Sequence, residues 1–269
     1  MTSTAVPRPH PEIGTELVRE WLPSGDSRAT VVLVHGLAEH SGRYERTGGL
    51  LAGAGLRVRS FDLIGAGASG GPRWDIDDWG RYHDQIESHV VFARDQGKPV
   101  VLMGHSMGGN LVLDYVISDR VKPDMVVVSA PALGGGAAWQ RALAPVVARI
   151  IPKAQVPNGV KGSQLSRDPA VGEAYFADPL VFKSSTPRLG AALFAAMDRV
   201  RRDAGSISIP TLVLHGGSDT IVPPQSTAAL GDLPGFERRL YPELRHEILN
   251  EPEGPAIVNE IVAWINARI

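Results

Sequence analysis

Hydrophobic and polar positions follow a repeating order along the chain that predicts a parallel sheet. Short runs with the pattern of β-strands recur at 31–35, 56–61, 99–103, 124–129, 211–215 and 237–241. Helical patterns separate most of these runs, and such alternation is typical of a mainly parallel sheet covered by helices on both faces. Residues 16–22 are predicted to add an antiparallel strand, and a last amphipathic helix is predicted over about 254–268.

The alternation is interrupted between residues 131 and 210. This stretch contains three consecutive glycines at 134–136, several prolines and no convincing strand. Two segments, 139–151 and 189–200, have apolar residues at helical spacing, and Pro145 is predicted to kink the first or to begin a new helix there. We therefore predict a helical cap at 131–210, inserted into a core formed by 1–130 and 211–269 and lying over the strand ends.

Composition restricts the class of protein. The chain has 269 residues, of which 43% are hydrophobic, which fits one α/β domain with an insertion. Its 27 basic and 29 acidic residues give a net charge of −2, which argues against nucleic-acid binding through a basic face. The chain contains no cysteine, so disulfides and thiolate chemistry are excluded.

Targeting and membrane signals are also absent from the sequence pattern. The first ten residues lack the apolar segment of a secretory signal peptide. No apolar run approaches the roughly 20 residues that a membrane-spanning helix needs. We therefore expect a soluble, cytoplasmic protein.

The segment Gly104-His105-Ser106-Met107-Gly108-Gly109 matches the pattern G-x-S-x-G. It lies between the strand-like run 99–103 and the helical pattern 110–117, and a strand, a sharp turn and a helix are the arrangement that presents a serine hydroxyl above a sheet. Side chains at the first and last motif glycines would crowd the strand and the helix. The motif is common by chance, so the alternative is a glycine-rich turn with an incidental serine.

A nucleophilic serine needs a histidine base and a carboxylate that orients it. In this arrangement the partners follow in the order Ser, Asp, His, each after a strand. Asp219 follows the run 211–215, and His246 follows the run 237–241. Either residue alone could be an ordinary turn or surface residue, but both occur in the required order. The sequence therefore predicts the catalytic triad Ser106, Asp219 and His246.

An oxyanion hole requires two backbone N–H donors. One is predicted at Met107, directly after the serine, and the other at Leu37, on the loop that follows an early strand over 30–34. The preceding pair His35-Gly36 is expected to turn the backbone so that the N–H of Leu37 points toward Ser106.

Other motifs indicate no metal or cofactor. The segment 65–70 matches G-x-G-x-x-G, but Gly71-Pro72 follows it instead of a helix, so we interpret it as a loop near the active site, with Asp62 as a structural carboxylate. His246-Glu247 begins like H-E-x-x-H, but residue 250 is asparagine, which argues against a zinc helix. The phosphate-binding G-x-x-x-x-G-K-[ST] pattern does not occur.

On these motifs the chain resembles the monoacylglycerol lipase and lysophospholipase-type branch of the α/β-hydrolase superfamily. The matching segments are HGLAEHSGRY at 35–44, the loop D-x-x-G-x-G-x-S at 62–69, GHSMGG at 104–109, LSRDP at 165–169 and GGSD at 216–219. The likeness extends over nearly the whole chain after about residue 12. Two departures are GAG at 65–67, where the branch usually has GHG, and the lack of a second histidine shortly after His246.

The resemblance implies an α/β-hydrolase fold and hydrolysis of monoacylglycerols, through an acyl-enzyme on Ser106, without metal or cofactor. It implies a role in lipid degradation, with an apolar tunnel in the cap for the acyl chain. Glu39 and Arg43 resemble a charged pair that either orders the oxyanion loop or binds a glycerol hydroxyl. The alternatives are a broader carboxylesterase or lysophospholipase and, in another class, a non-catalytic hydrolase-fold binding protein.

The apolar stripe of the segment 139–151 predicts transient contact of the cap with membranes or lipid droplets. Gln140, Arg141 and Arg149 give the segment a polar, mildly basic side, as is typical of interfacial helices. The alternative is that the stripe packs on the core.

Overall fold

The computed structural model describes residues 2–269, and an eight-stranded sheet forms its centre. The strands of the sheet are β1 (Thr4–His10), β2 (Gly14–Trp21), β3 (Thr30–Val34), β4 (Arg57–Phe61), β5 (Val100–His105), β6 (Met125–Ser129), β9 (Thr211–Gly216) and β10 (Phe236–Tyr241). Their order across the sheet is β1-β2-β4-β3-β5-β6-β9-β10. The strands from β4 to β10 run parallel, and β1 and β2 run antiparallel at one edge. The predicted α/β-hydrolase architecture is therefore confirmed.

Helices cover both faces of the sheet. They are α1 (Glu45–Gly53), α2 (Gly80–Arg94), α3 (Met107–Ile117), α4 (Ala138–Ile150), α5 (Gly162–Leu165), α6 (Pro169–Ala177), α7 (Pro187–Asp203) and α8 (Gly254–Asn266). Short 3₁₀ turns occur at Ser41–Tyr44, Ala204–Ser206, Pro224–Asp232 and Ile248–Asn250. The last helix was predicted about two residues too long. None of the helices within residues 2–269 has both the length and the apolar character that crossing a bilayer requires.

The core lies in two layers, one on each face of the sheet. Successive side chains of a strand point to opposite faces, so the wholly apolar run of β3 supplies both layers. Val32 and Val34 pack with residues of α2, α3 and α7, whereas Val31 and Leu33 pack with residues of α1 and α8. This burial on both faces explains why the central strands β3, β5, β6 and β9 appear in the sequence as largely apolar runs.

The prediction missed the first strand. β1 contains Pro7 and Pro9, which argue against a strand in the sequence, but it pairs antiparallel with β2 along its full length. Proline is tolerated there because β1 is an edge strand, where alternate N–H groups need no partner.

The range 131–210 contains α4 to α7 and, against the prediction of no strand, a two-residue antiparallel pair of β7 (Val156–Pro157) with β8 (Ser184–Ser185). Both predicted amphipathic segments are helical, and α4 continues through Pro145 without a new start. The division into core and cap stays a prediction.

Two buried carboxylates attach α7 to the rest of the fold. Asp75 binds Arg188 near the beginning of α7, with Nε and Oδ1 3.0 Å apart, and Asp114 of α3 binds Arg199 with the same separation. By contrast, α4 packs principally on α7 itself. The two long helices of this region are therefore held in different ways.

Candidate active site

Ser106 occupies the sharp turn between β5 and α3, where its backbone has φ 53° and ψ −119°. A non-glycine residue in this region is strained. The turn is tight because the motif glycines leave room for it. A Cβ at Gly104 would lie 2.4 Å from the Gly108 carbonyl oxygen, and one at Gly108 would lie 2.3 Å from the Val34 carbonyl oxygen. The predicted crowding at both glycines is therefore present.

His246 and Asp219 come together at the carboxyl ends of β10 and β9. His246 Nδ1 lies 2.7 Å from Asp219 Oδ2, and Oδ1 accepts hydrogen bonds from the N–H groups of Ile221 and Val222 at 2.8 and 2.9 Å. Burial alone would raise the pKa of Asp219. Hydrogen bonds from His215 and His246 outweigh burial and hold the pKa well below its usual range. The carboxylate is thus ionised and fixes the ring orientation of His246.

Ser106 and His246 line one cavity of about 170 Å³. Within residues 2–269 the serine hydroxyl and the imidazole do not form a hydrogen bond with each other, and such bonds often tighten only when substrate is bound. The structure therefore brings the three predicted triad residues to one site, with the His–Asp pair already formed.

The two predicted oxyanion donors lie beside Ser106. A Cβ at Gly36 would lie 3.2 Å from the Ser106 Cβ, which shows how closely the loop after β3 approaches the serine. Within residues 2–269, the backbone N–H groups of Leu37 and Met107 have no hydrogen-bond acceptor. Two N–H groups beside a serine hydroxyl form the arrangement that binds a tetrahedral oxyanion.

Glu39 and Arg43 belong to a buried charged cluster with Glu247. The Arg43 guanidinium lies 2.7 Å from Glu39 and binds both carboxylate oxygens of Glu247 at 2.7 and 2.9 Å. Glu39 also accepts hydrogen bonds from the Gly36 N–H at 2.6 Å and from the Tyr44 hydroxyl at 2.7 Å. The cluster therefore fastens the loop that bears Leu37 to the segment that bears His246.

The charge state of this cluster follows from its contacts. Burial would raise the pKa of Glu39, but the Arg43 guanidinium, followed by His105 and His35, lowers it to about 2. Burial opposes the charge on Arg43, but Glu247 and Glu39 raise its pKa above the usual value. At neutral pH two carboxylates thus share one guanidinium. The sequence indicated the first two members and missed Glu247, whose only signal was its position next to His246.

Two further histidines lie against the site. His215 places Nε2 3.2 Å from Asp219 Oδ2 and Nδ1 3.0 Å from the Thr227 hydroxyl. His105 has ring contact with His246 at a centroid distance of 4.8 Å. Burial, together with the nearby charge of His246, lowers the pKa of His105 to about 4, so it is neutral at pH 7.

The loop at 62–69 supports the site without a nucleotide-binding geometry. Asp62 accepts hydrogen bonds from the backbone N–H and hydroxyl of Ser41 at 2.8 and 2.6 Å and from the Ala68 N–H at 2.8 Å. The next helix begins only at Gly80. The interpretation of Asp62 as a structural carboxylate is confirmed, since it joins this loop to the segment after Leu37.

The cavity beside Ser106 is lined by both apolar and polar side chains. The apolar ones are Leu37, Val160, Leu165 and Ile221, and the polar ones are Glu39, Arg43, Asn158, Tyr175 and Glu247. Four of these residues come from the range 131–210: Asn158, Val160, Leu165 and Tyr175. A ligand with an apolar part and a small polar part matches this mixed lining.

The sequence profile of the family described as serine aminopeptidase, S33 (Hydrolase_4) matches residues 25–253. The chain belongs to this family. A monoacylglycerol lipase of Mycolicibacterium smegmatis is 34% identical over 258 residues, which cover 93% of this chain and 92% of the relative.

Two solved structures share the fold of this chain. The crystal structure of Paleococcus ferrophilus monoacylglycerol lipase has a TM-score of 0.85 at 34% identity, covering 94% of this chain and 98% of that one. A soluble variant of Saccharomyces cerevisiae monoglyceride lipase, solved with a substrate analog, has a TM-score of 0.90 at 20% identity, covering 100% and 96%. The resemblance drawn from the sequence to the lipase branch of this family is confirmed.

Proposed function

We propose that this chain is a serine hydrolase that cleaves monoacylglycerols to a free fatty acid and glycerol. The observation that carries the proposal is the cavity at Ser106, which is lined by both apolar and polar side chains. The apolar side chains suit an acyl chain and the polar ones suit glycerol hydroxyls, with the ester carbonyl beside Ser106. The relatives named as monoacylglycerol lipases support this assignment.

In the proposed reaction, His246 removes the hydroxyl proton of Ser106 as its oxygen attacks the ester carbonyl carbon. The N–H groups of Leu37 and Met107 stabilise the negative charge on the carbonyl oxygen. The carbon–oxygen bond to glycerol then breaks, and the glycerol oxygen takes the proton from His246. Water, deprotonated by His246, then attacks the acyl carbon; the bond to the Ser106 oxygen breaks, and this oxygen takes the proton back from His246. Asp219 stabilises the imidazolium in both steps.

The charged cluster favours an ester over a peptide substrate. An aminopeptidase, the activity in the family description, must bind the ammonium group of a peptide N-terminus with an available carboxylate. Here both carboxylates of the cavity wall, Glu39 and Glu247, are bound to Arg43. Because neither carboxylate lacks a partner, these groups suit the hydroxyls of glycerol better than an ammonium group, which would need a carboxylate of its own.

The substitution Ser106→Ala tests whether Ser106 is the nucleophile. We expect kcat on monoolein to fall by roughly 10⁵- to 10⁶-fold with the fold intact, as for other serine-triad knockouts. A fluorophosphonate probe should label the wild type and leave the variant unlabelled. Wild-type turnover by folded Ser106→Ala would overturn the assignment of the nucleophile. Failure of the wild type to label would favour a non-catalytic binding protein.

A panel of substrates tests which alcohol group of the ester the cavity accepts. We expect monoolein to be hydrolysed much faster than diolein, triolein or lysophosphatidylcholine at equal interfacial area. Extra acyl chains or a bulky headgroup would have to lie beside buried charges and remove water from them. A lysophosphatidylcholine rate equal to the monoolein rate would instead indicate the lysophospholipase alternative.

We further propose that α4 brings the cap into contact with lipid aggregates. The apolar stripe is exposed: Trp139 and Ile150 are 64% and 73% accessible, and Leu143, Val146 and Ile151 are exposed as well. A contiguous exposed apolar surface of this kind is typical of interaction sites. Because the stripe does not pack on the core, its burial in a lipid surface costs the fold nothing.

Val146→Asp and Ile150→Asp test the docking step. Both should lose activity on dispersed long-chain monoacylglycerol and keep it on a soluble short-chain ester. Gln140→Asp, on the polar side of the same helix, is the matched control. Equal loss on both substrates, or a loss shared by the control, would contradict docking through α4.

A further inference from the structure

A fully buried carboxylate, Glu251, joins the loop that bears His246 to the segment 163–167. Its Oε1 accepts a hydrogen bond from the Arg245 backbone N–H at 2.9 Å. Its Oε2 accepts from the Ser166 hydroxyl and the Arg167 backbone N–H, both at 2.9 Å, and from the Arg167 guanidinium at 3.3 Å. One side chain therefore binds the residue directly before His246 and two residues of the cavity-covering segment.

Backbone hydrogen bonds connect the same two segments on either side of His246. The N–H of His246 lies 3.4 Å from the Gln164 carbonyl oxygen, and that of Glu247 lies 2.8 Å from the Leu165 carbonyl oxygen. The Arg245 guanidinium binds the carbonyl oxygens of Ser163 and Ser166 at 2.6 and 2.9 Å. Residues 245–247 are thus hydrogen-bonded as a strip to 163–167.

The opposite side of the strip lies against the end of β9. A Cβ at Gly216 would lie 2.2 Å from the Arg245 carbonyl oxygen, so the two backbones are in direct contact. The backbone of His246 is therefore held between the sheet and the segment 163–167. Asp219 fixes the rotation of the imidazole ring, but the location of the ring depends on this backbone.

Burying a carboxylate is costly unless its partners compensate for lost hydration. Glu251 is compensated by four hydrogen bonds, three from the Arg245 N–H, the Ser166 hydroxyl and the Arg167 N–H and one from the partly exposed Arg167 guanidinium. Its neighbour Glu253 pairs with the same Arg167, but it is half exposed and does not bind the loop that bears His246. The buried position of Glu251, and not the ion pair as such, thus distinguishes the two carboxylates.

We propose that Glu251 is a positioning residue for His246. It holds the imidazole where it can take the proton from Ser106 and pass it to the departing alkoxide. The same hydrogen bonds fix the position of Leu165 in the cavity lining. The inference rests on the catalytic role proposed above for His246. Glu251 itself touches neither the serine nor the cavity-lining surface.

The test is Glu251→Gln, which keeps the size of the side chain but presents an NH₂ group to N–H donors. Two esters of butyric acid are compared, one with glycerol and one with p-nitrophenol. A p-nitrophenolate leaves without a proton, whereas a glycerol alkoxide needs one from His246. Loss of imidazole positioning therefore lowers kcat/KM for the glyceryl ester more than for the nitrophenyl ester.

We expect the ratio of kcat/KM for the glyceryl ester to kcat/KM for the nitrophenyl ester to fall by about tenfold in Glu251→Gln. This loss is a part of the roughly 10²- to 10⁴-fold that general acid–base catalysis contributes. Glu253→Gln is the matched control and should leave the ratio unchanged. If Glu251→Gln does not fold, Ser166→Ala, which removes one donor, should lower the ratio in the same direction by a smaller factor.

An equal loss on both esters, or an unchanged ratio in the variant that folds, would overturn the proposal and leave Glu251 with a purely structural role. This result is distinguishable from failure of the proposed function. In that case the wild type itself would not react with a fluorophosphonate, whereas here it labels normally and only the ratio is unaffected.

Discussion

Replacement of Glu39 by glutamine removes the anionic centre of the cluster behind the oxyanion loop. Glu39 is 4% exposed and accepts hydrogen bonds from the Gly36 N–H, the Tyr44 hydroxyl and the Arg43 guanidinium. Glutamine has nearly the same size but is uncharged, and only its oxygen can accept. The variant therefore tests the ionised state of the carboxylate more than its volume.

The magnitude follows from the pKa of Glu39, which is about 2 in the fold against an ordinary value of 4.5. A group whose pKa is lowered by folding stabilises the fold above its unfolded pKa, and this stabilisation is lost as the pH falls through the folded pKa. The difference corresponds to about 3 kcal/mol at pH 7 and about 2 kcal/mol at pH 3.5. The loop that bears Leu37 also loses support, so kcat should fall by up to about 100-fold.

Urea unfolding of wild type and Glu39→Gln at pH 7 and pH 3.5 measures this contribution. The cost of the substitution should shrink by about 1 kcal/mol at the lower pH. Glu243→Gln, which changes an exposed carboxylate, is the control and should have the same small cost at both pH values. A Glu39→Gln cost below about 0.5 kcal/mol, the scale of an ordinary surface substitution, or a cost that does not change with pH, would refute the reasoning.

Three further substitutions test neighbouring parts of the site. Asp219→Asn should lower kcat by about 10⁴-fold near neutral pH, because the wrong histidine tautomer is then favoured; a similar loss in the control Asp232→Asn would mean that the carboxylate is misassigned. Gly108→Ala places a Cβ 2.3 and 2.4 Å from two carbonyl oxygens at the end of β3 and should destabilise by about 3 kcal/mol or more, whereas Gly190→Ala in α7 meets no atom within 4 Å and should not lower the melting temperature. His215→Phe removes a donor to Asp219 and should cost about 2 kcal/mol in urea unfolding at pH 7; no loss would show that this hydrogen bond is dispensable.

The sequence predicted the central strands β3, β5, β6 and β9 because they are buried on both faces and therefore appear as largely apolar runs. β10, the edge strand, was also found, although its charged residues give it a weaker signal. β1 was missed because its prolines argue against a strand in the sequence. They are compatible with an edge strand, and only the pairing with β2 shows that β1 is one. The β7–β8 pair is two residues long on each side and too short for any periodicity.

The predicted triad residues could be located because the motif turn and the strand ends leave local signals. Their partners could not. Glu247 meets Arg43, and Glu251 meets Ser166, only after distant segments come together in the fold. Glutamates without a motif have no sequence signal for burial, so tertiary structure alone shows which ones are anchored.

Because α4 and α7 are attached in different ways, the surface proposed to meet the lipid can change without altering the turn that bears Ser106. α7 is fixed to the core at both ends by Asp75 and Asp114, and α4 rests principally on α7. Residue changes along the outer face of α4 therefore meet few constraints from the fold and none from the turn at Ser106. Over evolution, this helix is where family members with one reaction can diverge in the surfaces that they approach, much as antibodies vary their loops on a constant framework.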